Sequence, residues 1–147
     1  MALTLRRLQK VSGAEDLSHE DATTILRLDR RCFPEDKPPT LRPCVWWLAY
    51  DGRKPVGYAG ILDGGDGVFE LVRVGVVKSH QGKGLGRRLL KARLDWAQKQ
   101  HPDPRVITYA SAHNYQSLNN LIAQGFRVYD KKDGLPRFVY MHWRPSH

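Results

Sequence analysis

The chain has 147 residues, the length of one domain, with 24 Lys+Arg against 15 Asp+Glu and a formal charge of +9. Its 41% hydrophobic content argues against wholesale disorder. No apolar run approaches the roughly 20 residues that cross a bilayer, and the N-terminal stretch through Arg7 has no apolar core of signal-peptide length. The basic excess points to an anionic partner, with nucleic acid, a membrane surface and a phosphorylated cofactor all open.

In chain order, Leu3 to Leu8 alternates weakly, as a half-buried strand does. Ser18 and Asp21 resemble a capping box ahead of Ala22, Ile25, Leu28 and Cys32 at helical spacing, and Phe33-Pro34 ends that run. The proline-rich 35–43 segment reads as an irregular loop or a broken second helix. Val45 to Tyr50 and Val56 to Leu62 read as a hairpin turned at Asp51-Gly52. Trp46 and Trp47 alternate on that strand, so one is expected in the core and the other in half-buried packing, with the wall of an acceptor pocket as the alternative.

A second turn at 63–67 leads to a long strand, Val68 to Val77, interrupted by Glu70, Arg73 and Gly75. A glycine there marks a bulge or a close backbone approach. From Gly84 the period becomes helical, with Leu85, Leu89, Ala92 and Trp96 on one face. Arg87, Arg88, Lys91, Arg93 and Lys99 read as its solvated side rather than a nucleic-acid helix, which would carry interleaved aromatics. Arg105 to Ser111 reads as a strand, Ser117 to Gln124 as a short helix capped at Gly125, and Phe126–Asp130 with Arg137–Trp143 as a closing antiparallel pair. The expected class is α/β, with helices covering a mixed, mainly antiparallel sheet in one domain over 1–147.

The most informative stretch is Gln81-Gly82-Lys83-Gly84-Leu85-Gly86-Arg87. It follows a strand and opens a helix, so unpaired backbone N–H groups at the positive end of a helix dipole converge where an anion can sit. Lys83, Arg87 and Arg88 add charge for a pyrophosphate. A plain glycine turn is the alternative. No Ser or Thr follows a Gly-Lys pair, which excludes a Walker A loop, and Arg87 stands where a dinucleotide fingerprint needs its third glycine. The six histidines are scattered, and His19-Glu20 lacks the second histidine of a zinc motif, so no metal site is expected. Cys32 and Cys44 have no metal or redox spacing and are expected reduced.

Gln81-x-x-Gly84-x-Gly86 resembles the acetyl-CoA pyrophosphate motif of the GNAT superfamily of N-acetyltransferases. A second match, Asn114-x-x-Ser117-x-Asn119 with Gly125-Phe126, begins 28 residues after Gly86. It resembles the later helix of that family, which lines the cofactor. The resemblance implies one GNAT-like domain with helices on both faces of a sheet splayed between strands 4 and 5. It implies acetyl-CoA as co-substrate, held by the backbone of Val74, Gly75 and Val76, by the loop residues Gln81, Gly82, Lys83, Gly84, Leu85, Gly86 and Arg87, and by Asn114 and Ser117. Helix capping is the competing role for Asn114 and Ser117. The segment Leu28 to Pro34 loosely resembles ribosomal-protein N-terminal acetyltransferases.

The resemblance makes the reaction N-acetyl transfer to a primary amine by direct attack in a ternary complex. Glu70, 11 residues before Gln81 and flanked by apolar residues, is the candidate general base, against a plain solvent-facing glutamate. Leu121 occupies the position where many members place a tyrosine acid; Tyr109 and Tyr115 are the substitutes on offer, with packing as their favoured role. Arg73 reads as a solvated strand arginine or a contact to an acidic acceptor group. A catalytically weak acyl-CoA sensor and a basic nucleic-acid module are the alternatives, the latter disfavoured. A cytoplasmic monomer or homodimer without membrane attachment is expected. The charge left over from the cofactor disfavours polycationic acceptors, unless Glu35, Asp36, Asp63 and Asp66 gather.

Overall fold

A computed structural model describes residues 2–9 and 17–145. The strands are β1 (Leu3–Arg7), β2 (Val45–Asp51), β3 (Lys54–Asp63), β4 (Val68–Val76), β5 (Arg105–Ser111), β6 (Arg127–Val128) and β7 (Phe138–Trp143). The helices are α1 (His19–Cys32), α2 (Leu85–Gln100) and α3 (Tyr115–Ala123). The sheet order is β1-β2-β3-β4-β5-β7-β6. β4 runs parallel to β5, while β1–β2, β2–β3, β5–β7 and β6–β7 are antiparallel. The expected mixed, mainly antiparallel α/β class is the one found. Residues 35–43 form a loop without a helix.

Two compact units divide the chain. One runs to Leu62 and adds Val72–Arg93; the other is Asp63–Leu71 with Leu94 onward. In the first unit α1 starts where the capping residues predict: Ser18 Oγ accepts from the Asp21 N–H at 3.0 Å. Every residue of 45–49 in β2 is buried, so Trp46 and Trp47 are both core. The expectation of one half-buried tryptophan fails because β2 has a strand on either side and both its faces are covered. Gln9 extends the edge by side chain: its Oε1 accepts from Trp46 N at 2.9 Å and its Nε2 donates to Cys44 O at 2.8 Å.

In the second unit, Phe69 of β4 and Trp96 of α2 meet edge-on at 5.8 Å between ring centroids. Helix α3 ends in a Schellman motif. Gly125 adopts φ +98°, its N–H donates to Ile122 O at 3.0 Å, and Phe126 N–H donates to Leu121 O at 3.0 Å. Leu121 and Phe126, both buried, supply the apolar contact of that motif. Because Phe126 belongs to the cap, β6 shrinks from the expected five residues to Arg127–Val128.

Candidate active site

The strand-to-helix turn that follows β4 carries the clearest local design. After a single 3-10 turn, Lys78–His80, Gly82 and Gly84 take φ +77° and +81°, a region that side chains with a Cβ avoid. The Gly84 carbonyl accepts from Arg88 N–H at 3.0 Å, so Gly84 caps the 16-residue helix α2. The N–H groups of Leu85, Gly86 and Arg87 are then the first of the helix, without acceptors inside it. Gly86 has an ordinary helical backbone, yet a Cβ built on it meets nothing within 4 Å. Nothing in the protein's own packing requires a glycine there. The open space suits a ligand that approaches the backbone, which fits a pyrophosphate.

Side chains around the turn tie it down. Gln81 Nε2 donates to Val76 O at 3.0 Å, closing the step from strand to loop. His80 is buried, with Nε2 2.8 Å from Asp51 Oδ2 at the end of β2 and Nδ1 2.8 Å from Ser79 Oγ. The hydrogen bond from His80 holds the Asp51 carboxyl below the usual carboxylate range. Arg88 does not attend the turn as expected: its Nη1 donates to Leu3 O at 3.1 Å, fastening α2 to β1. Arg87 is exposed at the turn.

Gly75 answers the question posed by a glycine inside β4. A Cβ there would lie 2.5 Å from Tyr58 Cε1 and 3.0 Å from Cys32 Sγ, so the residue permits a close approach. Behind it, Tyr58 donates its hydroxyl to the buried Asp29. Burial, then the bond to Asp29, raises the phenol pKa far above its ordinary value. Arg73 Nη1 sits 3.3 Å from Asp29 Oδ1 and 3.5 Å from Asp36 Oδ2, and its guanidinium stacks 4.8 Å from the Phe33 ring centre. Arg73 is therefore a packed ion-pair partner, where the sequence reading made it solvated. Val74 is exposed and Val76 half-buried on the same strand.

Glu70 is half-buried on β4, paired in register with Ile107 of β5. That pair closes the parallel ladder, which runs only from Val68↔Arg105 through Glu70↔Ile107. Asn114 caps α3, its Oδ1 accepting from Ser117 N–H at 3.2 Å, so the capping role holds for Asn114, while Ser117 supplies the backbone N–H that is capped. Leu121 is buried in the α3 cap, whereas Tyr115 is 67% and Tyr109 52% exposed. Asp63 accepts from Gly65 N–H in its own turn and Asp36 is paired with Arg73, so each of these acids has local work.

Arg93, assigned above to the solvated side of α2, is only 3% exposed. Its Nε donates to Leu89 O, and its Nη1 donates to Gly60 O and Val72 O, all at 3.2 Å. Desolvation pushes its pKa down to about 9, which leaves it protonated at neutral pH. The signal was present: Arg93 follows Leu89 by four and precedes Trp96 by three, on the apolar stripe. Asp29, four after Ile25, carries the same signal on α1. Cys44 is buried and Cys32 half-buried, both as free thiols. Among the described residues, no three His, Cys, Asp or Glu side chains cluster as a metal site.

Comparison with known proteins agrees with this geometry. No match is found among curated protein sequences. Solved structures match across nearly the whole chain. The ribosomal-protein-S18-alanine N-acetyltransferase from Escherichia coli is 17% identical, with a TM-score of 0.75 and coverage of 99% of this chain and 96% of that one. An acyl-CoA N-acyltransferase from Pseudomonas aeruginosa is 21% identical, at TM-score 0.73 over 96% and 99% of the two chains. The PaiA N-acetyltransferase from Thermoplasma acidophilum, solved in complex with coenzyme A, is 15% identical, at TM-score 0.72 over 97% and 98%. At these identities the likeness speaks for the fold. The family itself is shown by sequence: the model of the acetyltransferase (GNAT) family matches residues 13–126, from ahead of α1 through the glycine turn to the Gly125-Phe126 cap, and the chain belongs to that family.

Proposed function

We propose that the protein transfers an acetyl group from acetyl-CoA to a primary amine by direct attack within a ternary complex. The observation that carries this is the turn at 81–87: two left-handed glycines, an uncrowded Gly86 and the unpaired N–H groups of a long helix. Leu85, Gly86 and Arg87 donate backbone N–H groups to the pyrophosphate, with Gly82 and Gly84 shaping the turn and Lys83 and Arg87 adding charge. Backbone groups of Val74, Gly75 and Val76 pair with the pantetheine amides as a further strand does. Asn114 and Ser117 support the cofactor through the start of α3.

An alkyl ammonium with a pKa of roughly 10 must lose a proton before it attacks. Glu70 accepts that proton. The amine nitrogen then bonds to the thioester carbon, gives up its second proton to water as the C–S bond breaks, and the thiolate leaves. Leu121 offers no acid, so the thiolate departs as such or takes a proton from water. Direct transfer is favoured over an acyl-cysteine because burial, then Asp29, raises the Cys32 thiol pKa, and Cys44 is buried.

Melting curves with acetyl-CoA, followed by thiol release across a panel of amines, test the reading. Acetyl-CoA at 100 times its Kd stabilises by about 2.7 kcal/mol, a rise in Tm of several degrees. Thiol release with at least one amine completes the case. Stabilisation without release from any amine supports an acyl-CoA sensor instead, and no stabilisation rejects both.

A further inference from the structure

Glu70, Ile107 and His142 lie side by side across β4, β5 and β7. Phe69, next to Glu70, is buried against Trp96 of α2. Strand alternation therefore puts Glu70 on the opposite face, the one this part of α2 leaves uncovered. Along β5 on that face, Tyr109 comes next, opposite Tyr140, and then Ser111, opposite Phe138. The rings touch: Tyr109 lies 5.0 Å from Phe138 and 5.8 Å from Tyr140, centre to centre.

Three rings of the group carry a cation. Arg105 lies 5.0 Å over Tyr129, Lys131 5.5 Å over Tyr140 and Arg137 4.9 Å over Phe138. Among the described residues Tyr109 has no cation over its ring, and it is 52% exposed. The face thus presents one bare aromatic ring, a surround of arginine and lysine, and the Glu70 carboxylate. Glu70 and Tyr109 stand one strand and two residues apart, about 8 Å between Cα atoms.

We propose that this face selects the acceptor, and that the acceptor is an amine carried on an aromatic acid. Its ring stacks on Tyr109, its acidic group pairs with Arg105, and its amine points to Glu70. The proposal rests on the N-acetyltransferase reading above. Charge decides against other occupants. A second copy would bring like cations against like, polyamines and lysine-rich peptides meet the same repulsion, and an aliphatic amine leaves the Tyr109 ring in water.

Calorimetric titration tests this without turnover, so its outcome is separable from that of the activity assay. The probes are L-phenylalanine, phenethylamine, which lacks the carboxylate, and L-leucine, which lacks the ring. L-Phenylalanine is expected to bind about fivefold or more tighter than either. The Tyr109→Leu variant should erase its advantage over leucine, and Arg105→Gln its advantage over phenethylamine, while the Tm shift with acetyl-CoA stays as in the parent protein. Tyr109 is exposed, so its replacement leaves folding intact. Equal or undetectable binding of the three probes, or a parent preference that survives Tyr109→Leu, overturns the proposal even if thiol release succeeds with other amines. Tyr109-dependent binding of a single-stranded oligonucleotide without phenylalanine binding overturns it too, in favour of a nucleic-acid surface.

Discussion

The turn at residues 76–88 and the open face of β5, β7 and β6, each proposed above to meet an anion, are built by opposite means. The turn works with backbone: left-handed Gly82 and Gly84 lead into the first N–H groups of α2, while Gln81, His80 and Arg88 bond to Val76, Asp51 and Leu3. The face works with side chains, its cations laid over Tyr129, Tyr140 and Phe138 at the surface. A backbone site needs glycines at fixed spacing and accepts many side chains around it. A side-chain site depends on which residues strand pairing brings together. The first kind binds a constant feature such as a pyrophosphate, and the second can vary with the acceptor.

The sharpest contrast lies between two arginines. Arg93→Ala leaves the Gly60 and Val72 carbonyls without their buried donor and opens a cavity behind α2. A loss of about 3 kcal/mol is expected, read as a fall in Tm on the order of 10 °C. Arg137→Ala removes an exposed cation over Phe138 and should cost no more than about 1 kcal/mol. Equal losses in the two melting curves would erase the distinction between inward and outward cations. Next in size is Glu70→Gln, expected to lower kcat about 100-fold while acetyl-CoA affinity is unchanged. The loss should narrow at high pH, where the free amine needs no base. Unaltered turnover across pH removes Glu70 from the mechanism.

The same contrast explains what the sequence made legible. The glycine turn, the Ser18 cap and the Gly125-Phe126 cap depend on residues close in the chain, and all three appear where spacing put them. Arg93 and the second buried tryptophan depart from expectation, and Asp29 gave none, because charge and alternation are local signals, whereas burial is set by what packs from elsewhere. Arg93 bonds to Gly60, 33 positions away, and Tyr58 to Asp29 across 29. The aromatic face was invisible for a related reason. Tyr109 sits on β5, Tyr140 on β7 and Tyr129 just past β6, and only the β5–β7 register sets Tyr109 opposite Tyr140.

A smaller effect tests the turn by giving stability and binding opposite signs. A Cβ at position 86 meets nothing within 4 Å, and replacing a helical glycine removes backbone entropy from the unfolded chain. Gly86→Val should therefore leave the melting temperature unchanged or slightly raised. The same side chain fills the space over the first N–H groups of α2. Affinity for acetyl-CoA should fall about tenfold in a titration, on the order of 1.4 kcal/mol. Loss of stability with unchanged binding would mean that the glycine serves packing and the anion lies elsewhere.

The smallest expected effect belongs to His142 on the open face. Desolvation, then Arg105, Arg144 and Arg127, lowers its pKa below the ordinary 6.5. Its Nδ1 lies 3.2 Å from Arg105 Nε, a contact in which neutral imidazole accepts from the guanidinium. A depressed imidazole takes up its proton later in the folded protein than in the unfolded chain. Its contribution is therefore complete above about pH 6.5 and is lost as pH falls toward the folded value. His142→Gln removes the titration while keeping a polar side chain of similar reach. Its melting temperature should fall less between pH 7 and pH 5 than that of the parent, with the difference vanishing above pH 7. Parallel curves would show that the surrounding arginines do not act on His142 as their placement requires.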